Sequence, residues 1–218
     1  MKLTEFFDLS HTIADKYLAD FTCPWEALNG LKAFITDCGL TLNLKDFKLL
    51  SPFVWVHKSA EVSPTAYIGS PCIIGAGSEI RHGAYIRGSA IVGENCVIGN
   101  SAEVKNSILF DGVQIPHFNY VGDSIFGYKA HLGAGAIISN VKADKSPVKV
   151  RHKEGTIDTG LKKFGAIIGD FAEIGCNCVL CPGTVIGKNA TVYPLSLVRG
   201  FVPENGILKD GGKIIIKH

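Results

Sequence analysis

Residues 68–104 read IGSPCIIGAGSEIRHGAYIRGSAIVGENCVIGNSAEV, and a large apolar residue returns at every sixth position of this stretch. The register extends back to Val56 and forward to Phe110, and it returns after two interruptions. Its members are Val56, Val62, Ile68, Ile74, Ile80, Ile86, Val92, Ile98, Val104, Phe110, Phe126, Leu132, Ile138, Ile168, Ile174, Leu180, Ile186, Val192 and Val198. A fixed short period of this kind is typical of repeat architectures.

Period six indicates a coil of short strands. In an α-helix with 3.6 residues per turn, apolar residues six apart would drift around the cylinder. A coil of three short strands instead places one large and one small residue per strand in a triangular interior, with neighbouring coils about 4.8 Å apart. The small positions are present as Ala66, Cys72, Ser78, Ala84, Ala90, Cys96, Ala102, Cys178, Thr184 and Ala190. The pattern therefore predicts an all-β chain folded as a parallel β-helix.

The flanking segments divide the chain further. We expect residues 1–50 to form a short helical segment beside the solenoid, with a helix that starts near Pro24 and stops at Gly39. The β-helix is predicted for residues 51–200, with a basic excursion at 141–165 that is either functional or a solvated charged loop. Residues 201–218 read as a C-terminal tail with a short final strand at Ile214 to Ile216.

Composition excludes several classes of function. The 218 residues carry a formal net charge of +2, too small to favour nucleic acid or a membrane surface as a partner. No apolar run reaches the length of a membrane span, and the N-terminus lacks the apolar core of a signal peptide. The expectation from these observations is a cytoplasmic protein.

The seven cysteines include the motif CxCxxC at Cys176, Cys178 and Cys181. A metal or redox site is one interpretation. Because Cys178 falls on the small interior position and no second CxxC completes a four-thiolate site, we expect structural thiols and no metal.

Two cations lie one coil apart. Arg87 and Lys105 each follow the apolar residue of their hexad, so the period stacks them on one corner of the coil. Like charges at that spacing repel unless an anion lies nearby. Glu103 is one candidate for that anion, and a bound phosphate is the other.

The repeat loses its register at QIPHFNYVGD, residues 114–123. There, His117 stands near Tyr120 on an irregular corner, and an imidazole is suited to accept a proton near neutral pH. The following stretch HLGAGAIISN surrounds Ala134 with glycines. Small residues let a ligand approach the backbone, although glycine at a corner is also ordinary in such a coil.

The stretches IPHFNYVGDS, LGAGAIISN and FGAIIGD resemble the acetyltransferase half of the bifunctional sugar-1-phosphate nucleotidylyltransferase/acetyltransferases, and the archaeal-type versions share the basic excursion. The resemblance spans roughly residues 5–200 and implies a left-handed parallel β-helix. It also implies a homotrimer that uses acetyl-CoA, without a metal, to acetylate glucosamine 1-phosphate or galactosamine 1-phosphate for UDP-N-acetylglucosamine biosynthesis. Because no glycine-rich nucleotidyltransferase loop is present, no nucleotidyltransferase activity is expected.

Site residues follow from the resemblance by motif. It implies that His117 is the general base and that the backbone N–H of Ala134 lies at the oxyanion. Arg87, Lys105 and Tyr120 match the sugar-phosphate contacts, and Asn140, Cys176 and Pro194 match the acetyl-CoA contacts. Lys162 or Lys163 supplies the further substrate lysine. His131 departs from the family, which has Asn there against the sugar.

Two alternatives compete with the acetyltransferase hypothesis. A zinc enzyme of the γ-carbonic anhydrase kind needs three converging histidines, for which His82 and His117 are available but the family's close histidine pair is missing. A non-catalytic β-helix scaffold is the other alternative. The stacked pair Arg87 and Lys105 and the irregular corner at His117 speak against it.

Overall fold

A computed structural model describes residues 1–152 and 155–217, and it shows a triangular solenoid of short parallel strands. Each circuit through the three faces is one coil. The fold confirms the predicted left-handed parallel β-helix built from hexapeptide repeats. No helix in the described residues has the length and apolar composition needed to cross a bilayer.

The first face, here called the helix-covered face, carries the N-terminal segment on its outer side. Its parallel strands are Val54–His57, Cys72–Ile74, Ala90–Val92, the second half of Glu103–Leu109, the second half of Tyr120–Phe126, Ala166–Ile168, Thr184–Ile186 and Phe201–Val202. The strand Phe47–Ser51 pairs antiparallel with Val54–His57 and leads the chain into the solenoid.

The second face, the polar face, is a 9-stranded sheet. Its strands are Glu61–Val62, Glu79–Ile80, Val97–Asn100, Gln114–His117, His131–Leu132, Glu173–Ile174, Thr191–Val192 and Gly206–Leu208, with Ile214–Ile216 antiparallel to the last. The predicted final strand is therefore present. The solenoid itself continues past residue 200, since Phe201–Val202 and Gly206–Leu208 pair in parallel with the coil below.

The third face, the open apolar face, has no covering segment among the described residues. Its strands are Tyr67–Ile68, Tyr85–Ile86, the first half of Glu103–Leu109, the first half of Tyr120–Phe126, Ile137–Ile138, Val179–Leu180 and Leu197–Val198. Strands Glu103–Leu109 and Tyr120–Phe126 run without a break around the corner onto the helix-covered face.

The large and small residues of the hexads fill the interior as one buried cluster. Cys72 and Cys96 are fully buried within it. Burial raises the pKa of each of these two thiols to about 12. These cysteines act as small apolar residues, as predicted.

One position of the predicted register is wrong. Leu109, and not Phe110, pairs with Val92 on the coil below and with Phe126 above. The side from Val104 to Leu109 is one residue shorter than a hexad, which turns Phe110 out of the solenoid interior. Phe110 is buried instead beneath the N-terminal segment, with its ring centroid 5.0 Å from that of Phe7.

The N-terminal segment is helical, as expected, but with different boundaries. It contains 3₁₀-helices Leu3–Glu5, Leu9–His11 and Pro24–Leu28 and α-helices Asp15–Ala19 and Leu31–Thr41. Glu26 accepts hydrogen bonds from the N–H groups of Thr22 and Cys23, which fixes the start of the 3₁₀-helix Pro24–Leu28. A further 3₁₀-helix, Asp210–Gly212, lies in the C-terminal tail.

Gly39 does not stop the second α-helix. It lies inside Leu31–Thr41, where a Cβ atom would come within 2.2 Å of the Trp55 ring. Glycine is therefore needed there for close packing of the helix on the solenoid.

A second buried cluster joins the N-terminal segment to the helix-covered face. The solenoid contributes its outward residues Trp55, Ile73, Ile91, Ile108, Ile125, Ile167 and Val185. Burying one such large side chain stabilises the fold by roughly 1.5–3 kcal/mol.

The excursion at 141–165 belongs to the same cluster. It forms an antiparallel hairpin, Lys149–His152 with Gly155–Asp158, and buries Val148, Val150 and Phe164. Lys153 and Glu154, two of the charged residues in this stretch, lie outside the described residues. Because apolar side chains anchor both ends of the hairpin, the excursion is a docked element of the fold.

Candidate functional site

One corner of the solenoid carries both predicted catalytic residues, His117 and Ala134. It lies between the polar and open apolar faces, and we call it the histidine corner: Asn100, His117, Ala134, Cys176 and Pro194. Backbone hydrogen bonds join its coils in order, from Phe118 N–H to Asn100 O at 3.0 Å and from Gly135 N–H to His117 O at 3.0 Å. They continue from Asn177 N–H to Ala134 O and from Leu195 N–H to Cys176 O, both at 2.9 Å.

His117 is exposed at this corner, with its backbone held from the next coil. Its N–H donates to Asn119 Oδ1 at 3.0 Å, and the buried Asn119 amide donates to Gly133 O at 2.8 Å and Ala136 O at 3.1 Å. Asn119 therefore fixes His117 against the coil that carries Ala134. The sequence reading missed Asn119, although an Asn two residues after the histidine is a recognisable side-chain brace.

The Ala134 N–H is available to a ligand. Within residues 1–152 and 155–217 it donates to no acceptor, and the same holds for the N–H of Cys176. Ala134 is half-buried and Cys176 is exposed. The histidine corner thus combines an imidazole with free backbone donors on the coils beyond it.

A second corner, between the open apolar and helix-covered faces, carries the cations. We call it the lysine corner: Arg87, Lys105, Gly122, Ser139, Cys181 and Arg199. Arg87 Nη1 lies 2.8 Å from Glu103 Oε1, so Glu103 is its counterion, as one of the two alternatives anticipated. The hydrogen bond from this guanidinium to Glu103 raises the pKa of Arg87.

Lys105 has a different partner, which the sequence reading did not find. Its Nζ lies 3.1 Å from Asp123 Oδ2, and both side chains are largely buried. Asn106 Nδ2 donates to Asp123 Oδ1 at 2.8 Å, and the buried Asn140 amide donates to Oδ2. The constant spacing of Asn106, Asp123 and Asn140, one coil apart, was a signal for this network in the sequence.

The structure separates Asn140 from the other predicted acetyl-CoA contacts within one chain. Asn140 lies beside the lysine corner, whereas Cys176 and Pro194 lie on the histidine corner. Its amide is used by Asp123. These three residues therefore do not lie on one corner of a single chain.

Tyr120 starts the open apolar face between the two corners. A Cβ atom on Gly122 would lie 2.7 Å from the Tyr120 hydroxyl, so the ring crosses the face directly above this glycine. Partial burial, followed by the charges of Asp123 and Glu103, raises the pKa of the Tyr120 hydroxyl. Tyr120 thus extends from the histidine corner toward Lys105.

The other predicted substrate contacts lie elsewhere. His131 lies on the polar face, with Nδ1 2.8 Å from Glu173 Oε2, away from Tyr120 and Lys105. Lys162 and Lys163 are exposed at the end of the excursion. That segment returns to the lysine corner, since Phe164 N–H donates to Asn140 O and Gly165 N–H to Asp123 O, both at 2.9 Å.

The residues considered for metal binding do not converge in one chain. Cys176 is exposed and Cys178 is fully buried, so these thiols point to opposite sides of the coil wall. His82 lies two coils below His117, about 10 Å away, with Nδ1 2.6 Å from Thr65 Oγ1. The part of the chain that the structure describes contains no group of three His, Cys, Asp or Glu placed to hold a metal.

Comparison with known proteins agrees with this architecture. Residues 78–160 match the family described as the GMPPB C-terminal domain, and residues 165–200 match the bacterial transferase hexapeptide family. A bifunctional sugar-1-phosphate nucleotidylyltransferase/acetyltransferase from Sulfurisphaera tokodaii is 36% identical over 186 residues, or 84% of this chain and 46% of that protein. This chain thus contains hexapeptide repeats and is similar to that relative over most of its own length. The resemblance inferred from the sequence motifs is thereby confirmed.

Other relatives align over shorter stretches. The bifunctional protein GlmU of Methanococcus vannielii is 35% identical over 111 residues, or 51% of this hexapeptide-repeat chain and 27% of the relative. The chain thus spans less than half the length of either relative. The acetyltransferase domain of PglB from Neisseria gonorrhoeae FA1090, solved with acetyl coenzyme A, is 18% identical with a TM-score of 0.35, covering 70% of this chain and 52% of that one. A likeness of that size is too weak to support an assignment.

Proposed function

We propose that this protein transfers an acetyl group from acetyl-CoA to the amine of an amino-sugar 1-phosphate. The observation that carries the proposal is the alignment of His117, Ala134, Cys176 and Pro194 on one corner of consecutive coils. The name of the Sulfurisphaera tokodaii relative includes acetyltransferase and sugar 1-phosphate, which supports this choice of substrates.

His117 acts as the general base. An amine attacks a thioester only when it has lost its proton, and an exposed imidazole can accept that proton near neutral pH. The nitrogen then forms the C–N bond, the C–S bond breaks, and the coenzyme A thiolate leaves and takes up a proton. Asn119 keeps the base in place, because it ties the His117 backbone to Gly133 and Ala136.

The free N–H of Ala134 stabilises the oxyanion that forms at the thioester carbonyl. Ala134 occupies the position of His117 on the next coil, so both residues can reach one reacting carbon. A single oxyanion donor is typically worth about 3 kcal/mol in the transition state. In this arrangement the coenzyme A part of the acyl donor extends along the histidine corner past Cys176 and Pro194.

The lysine corner holds the acceptor's phosphate. Arg87 and Lys105 already have carboxylate partners, so these two pairs add little net positive charge. Lys162 and Lys163 are exposed beside the same corner and supply the excess charge that a phosphate needs. Tyr120 starts the open apolar face beside the histidine corner, and in this proposal it contacts the sugar.

The active unit in this proposal is a homotrimer with sites between subunits. His117 and Gly122 lie five residues of extended chain apart, roughly 16 Å, so a small sugar phosphate spans the two corners poorly within one chain. The open apolar face carries the exposed side chains of Tyr67, Tyr85, Ile137, Val179 and Leu197. Exposed apolar stripes of this kind favour association. A second copy on this face would bring its lysine corner near the histidine corner of the first.

The test is a thiol-release assay with acetyl-CoA and a panel of amino sugars and their 1-phosphates. We expect turnover with glucosamine 1-phosphate or galactosamine 1-phosphate, and at most weak turnover with the free sugars. Turnover that ignores the phosphate would contradict the role of the lysine corner. No thiol release with any amine of the panel would contradict the proposed activity.

A further inference from the structure

The basic excursion and the upper coils enclose a cleft of about 770 Å³ on the lysine corner. Ser139, Cys181 and Arg199 form its floor, and Lys142, Lys149 and Arg151 stand on the excursion side. The cleft is separate from Arg87 and Lys105, which lie on coils below Gly122. None of the roles derived so far uses it.

Two glycines bring the excursion against the solenoid at this cleft. A Cβ atom on Gly183 would lie 2.5 Å from the Lys149 carbonyl oxygen, and one on Gly200 would lie 3.4 Å from Cβ of Arg151. Both glycines have positive φ angles, 80° and 91°, that other residues rarely adopt. The hairpin is therefore packed on the corner, with Arg151 beside Gly200, the residue that follows Arg199.

The cations of the cleft differ in their partners. Lys142 pairs with Asp144 at 3.3 Å, and Lys149 has a long contact of 3.8 Å with Asp158. Arg151 and Arg199 form no ion pair with any carboxylate in residues 1–152 and 155–217. The lining of the cleft thus has a net positive charge, and its two arginines, one from the excursion and one from the solenoid, have no ion-pair partner among the described residues.

We propose that Arg151 and Arg199 bind a phosphate group of a substrate at a site distinct from Arg87 and Lys105. The planar guanidinium matches phosphate in a bidentate fashion, and one arginine from the excursion together with one from the solenoid can bind the same phosphate. The proposal rests on the proposed function, because that function supplies phosphorylated substrates.

The position of the cleft fits the far end of an extended substrate. Cys181 lies on the same coil as Cys176, and Arg199 on the same coil as Pro194. The cleft is therefore level with the proposed path of the acyl donor. Two sources share the required chemistry: a phosphate of coenzyme A, or the diphosphate of a nucleotide-linked acceptor.

Binding of three probes to the wild type and to the double variant Arg151→Gln/Arg199→Gln separates these sources. The probes are coenzyme A, dephospho-coenzyme A and UDP, measured by titration calorimetry at low salt. Arg81→Gln is the matched control, because Arg81 is an exposed arginine on the polar face, paired with Glu79 at 2.7 Å. Circular dichroism verifies that the variants stay folded.

We expect the double variant to lower the affinity for at least one probe by about 10-fold or more, because it removes two charge-assisted contacts to phosphate. If only coenzyme A loses affinity, the bound group is its 3′-phosphate. If dephospho-coenzyme A loses affinity equally, the bound group is the diphosphate of the acyl donor. Loss for UDP alone identifies a nucleotide-linked acceptor.

The proposal is overturned if no probe loses more affinity than with Arg81→Gln, or if the wild type binds none of the three. The rate of acetyl transfer by the double variant at saturating acetyl-CoA distinguishes failure of the phosphate site from failure of the proposed acetyltransferase activity. Full turnover with unchanged probe affinities would remove the phosphate site and leave the proposed function intact.

Discussion

Lys105 and Asp123 form a largely buried ion pair on adjoining coils, with Nζ 3.1 Å from Oδ2 and side-chain exposures of 17% and 6%. Asn106 and Asn140 donate to the same carboxylate from the coils on either side. Asp123 thereby links successive coils and fixes the lysine that the proposed function places at the acceptor's phosphate.

Replacing Asp123 with Asn should destabilise the protein strongly. The change leaves Lys105 partly buried without a counterion, and removing one partner of a buried pair typically costs about 3–5 kcal/mol. The measurement is the free energy of unfolding from urea titration. Asp158→Asn is the control, because its pair with Lys149 is exposed and 3.8 Å long, and such pairs are worth about 0–1 kcal/mol. Equal effects of the two variants would mean that the buried pair does not support the fold.

Replacing His117 with Ala should slow acetyl transfer by roughly 10²–10⁴-fold if the imidazole is the general base. The fold should remain intact, because the ring is exposed and the backbone bond to Asn119 stays. His82→Ala is the control, since His82 lies two coils away on the same corner. Near-full activity of the His117 variant would eliminate the assignment.

Thiol labelling should separate the cysteines by burial. Cys176 is exposed and should react with iodoacetamide at pH 8 in the folded protein. Cys72 and Cys96 should react only after unfolding, because burial blocks access and raises their pKa values to about 12. If the acyl donor follows the histidine corner, acetyl-CoA should slow labelling of Cys176, which peptide mass spectrometry measures. Unchanged labelling would place the donor elsewhere.

Gly39→Ala provides a test of the helix packing. At an exposed helical position this change would stabilise by about 1 kcal/mol. Here the new Cβ would meet the Trp55 ring, and overpacking costs typically 1–3 kcal/mol, so we expect a lower melting temperature. The control is Leu40→Ala on the same helix, where the side chain is 69% exposed and the effect should be small. A higher melting temperature for Gly39→Ala would show that the helix moves freely on the solenoid.

The period of six predicted the solenoid because every strand places one large apolar residue in the interior, and this repeat does not depend on the structure of the surrounding loops. It failed at Phe110, where one residue is missing from a side of the coil. Leu109 and Phe110 are both large and apolar, so the sequence alone does not tell which of them turns inward. Only pairing with Val92 and Phe126 decides it. Gly39 was misassigned for a similar reason, since a glycine required by a distant Trp55 looks like a helix stop.

The family resemblance carried by the motifs named His117, Ala134, Cys176 and Pro194, and only the pairing of the coils shows that they lie on one corner. The motifs did not reveal Asp123, whose role depends on Lys105 and Asn140 meeting it from neighbouring coils. A contact of His131 with the acceptor would depend on how two chains pack, and one sequence carries little information about that geometry.

A substitution of His131 tests whether the polar face takes part in the choice of acceptor. Its Nδ1 lies 2.8 Å from Glu173, so its orientation is fixed before any acceptor binds. An Asn offers an amide donor and acceptor on a shorter side chain, whereas neutral His offers one of each on a larger ring. If His131 contacts the sugar from a neighbouring subunit, His131→Asn should move preference from galactosamine 1-phosphate toward glucosamine 1-phosphate. The measurement is the ratio of kcat/KM for the two acceptors at pH 8, well above the usual histidine pKa. Glu173→Gln is the companion variant, which frees the ring without removing it and should shift the ratio less. An unchanged ratio in His131→Asn would mean that the polar face lies outside the acceptor site. The acceptor contacts would then be restricted to Tyr120 and the lysine corner.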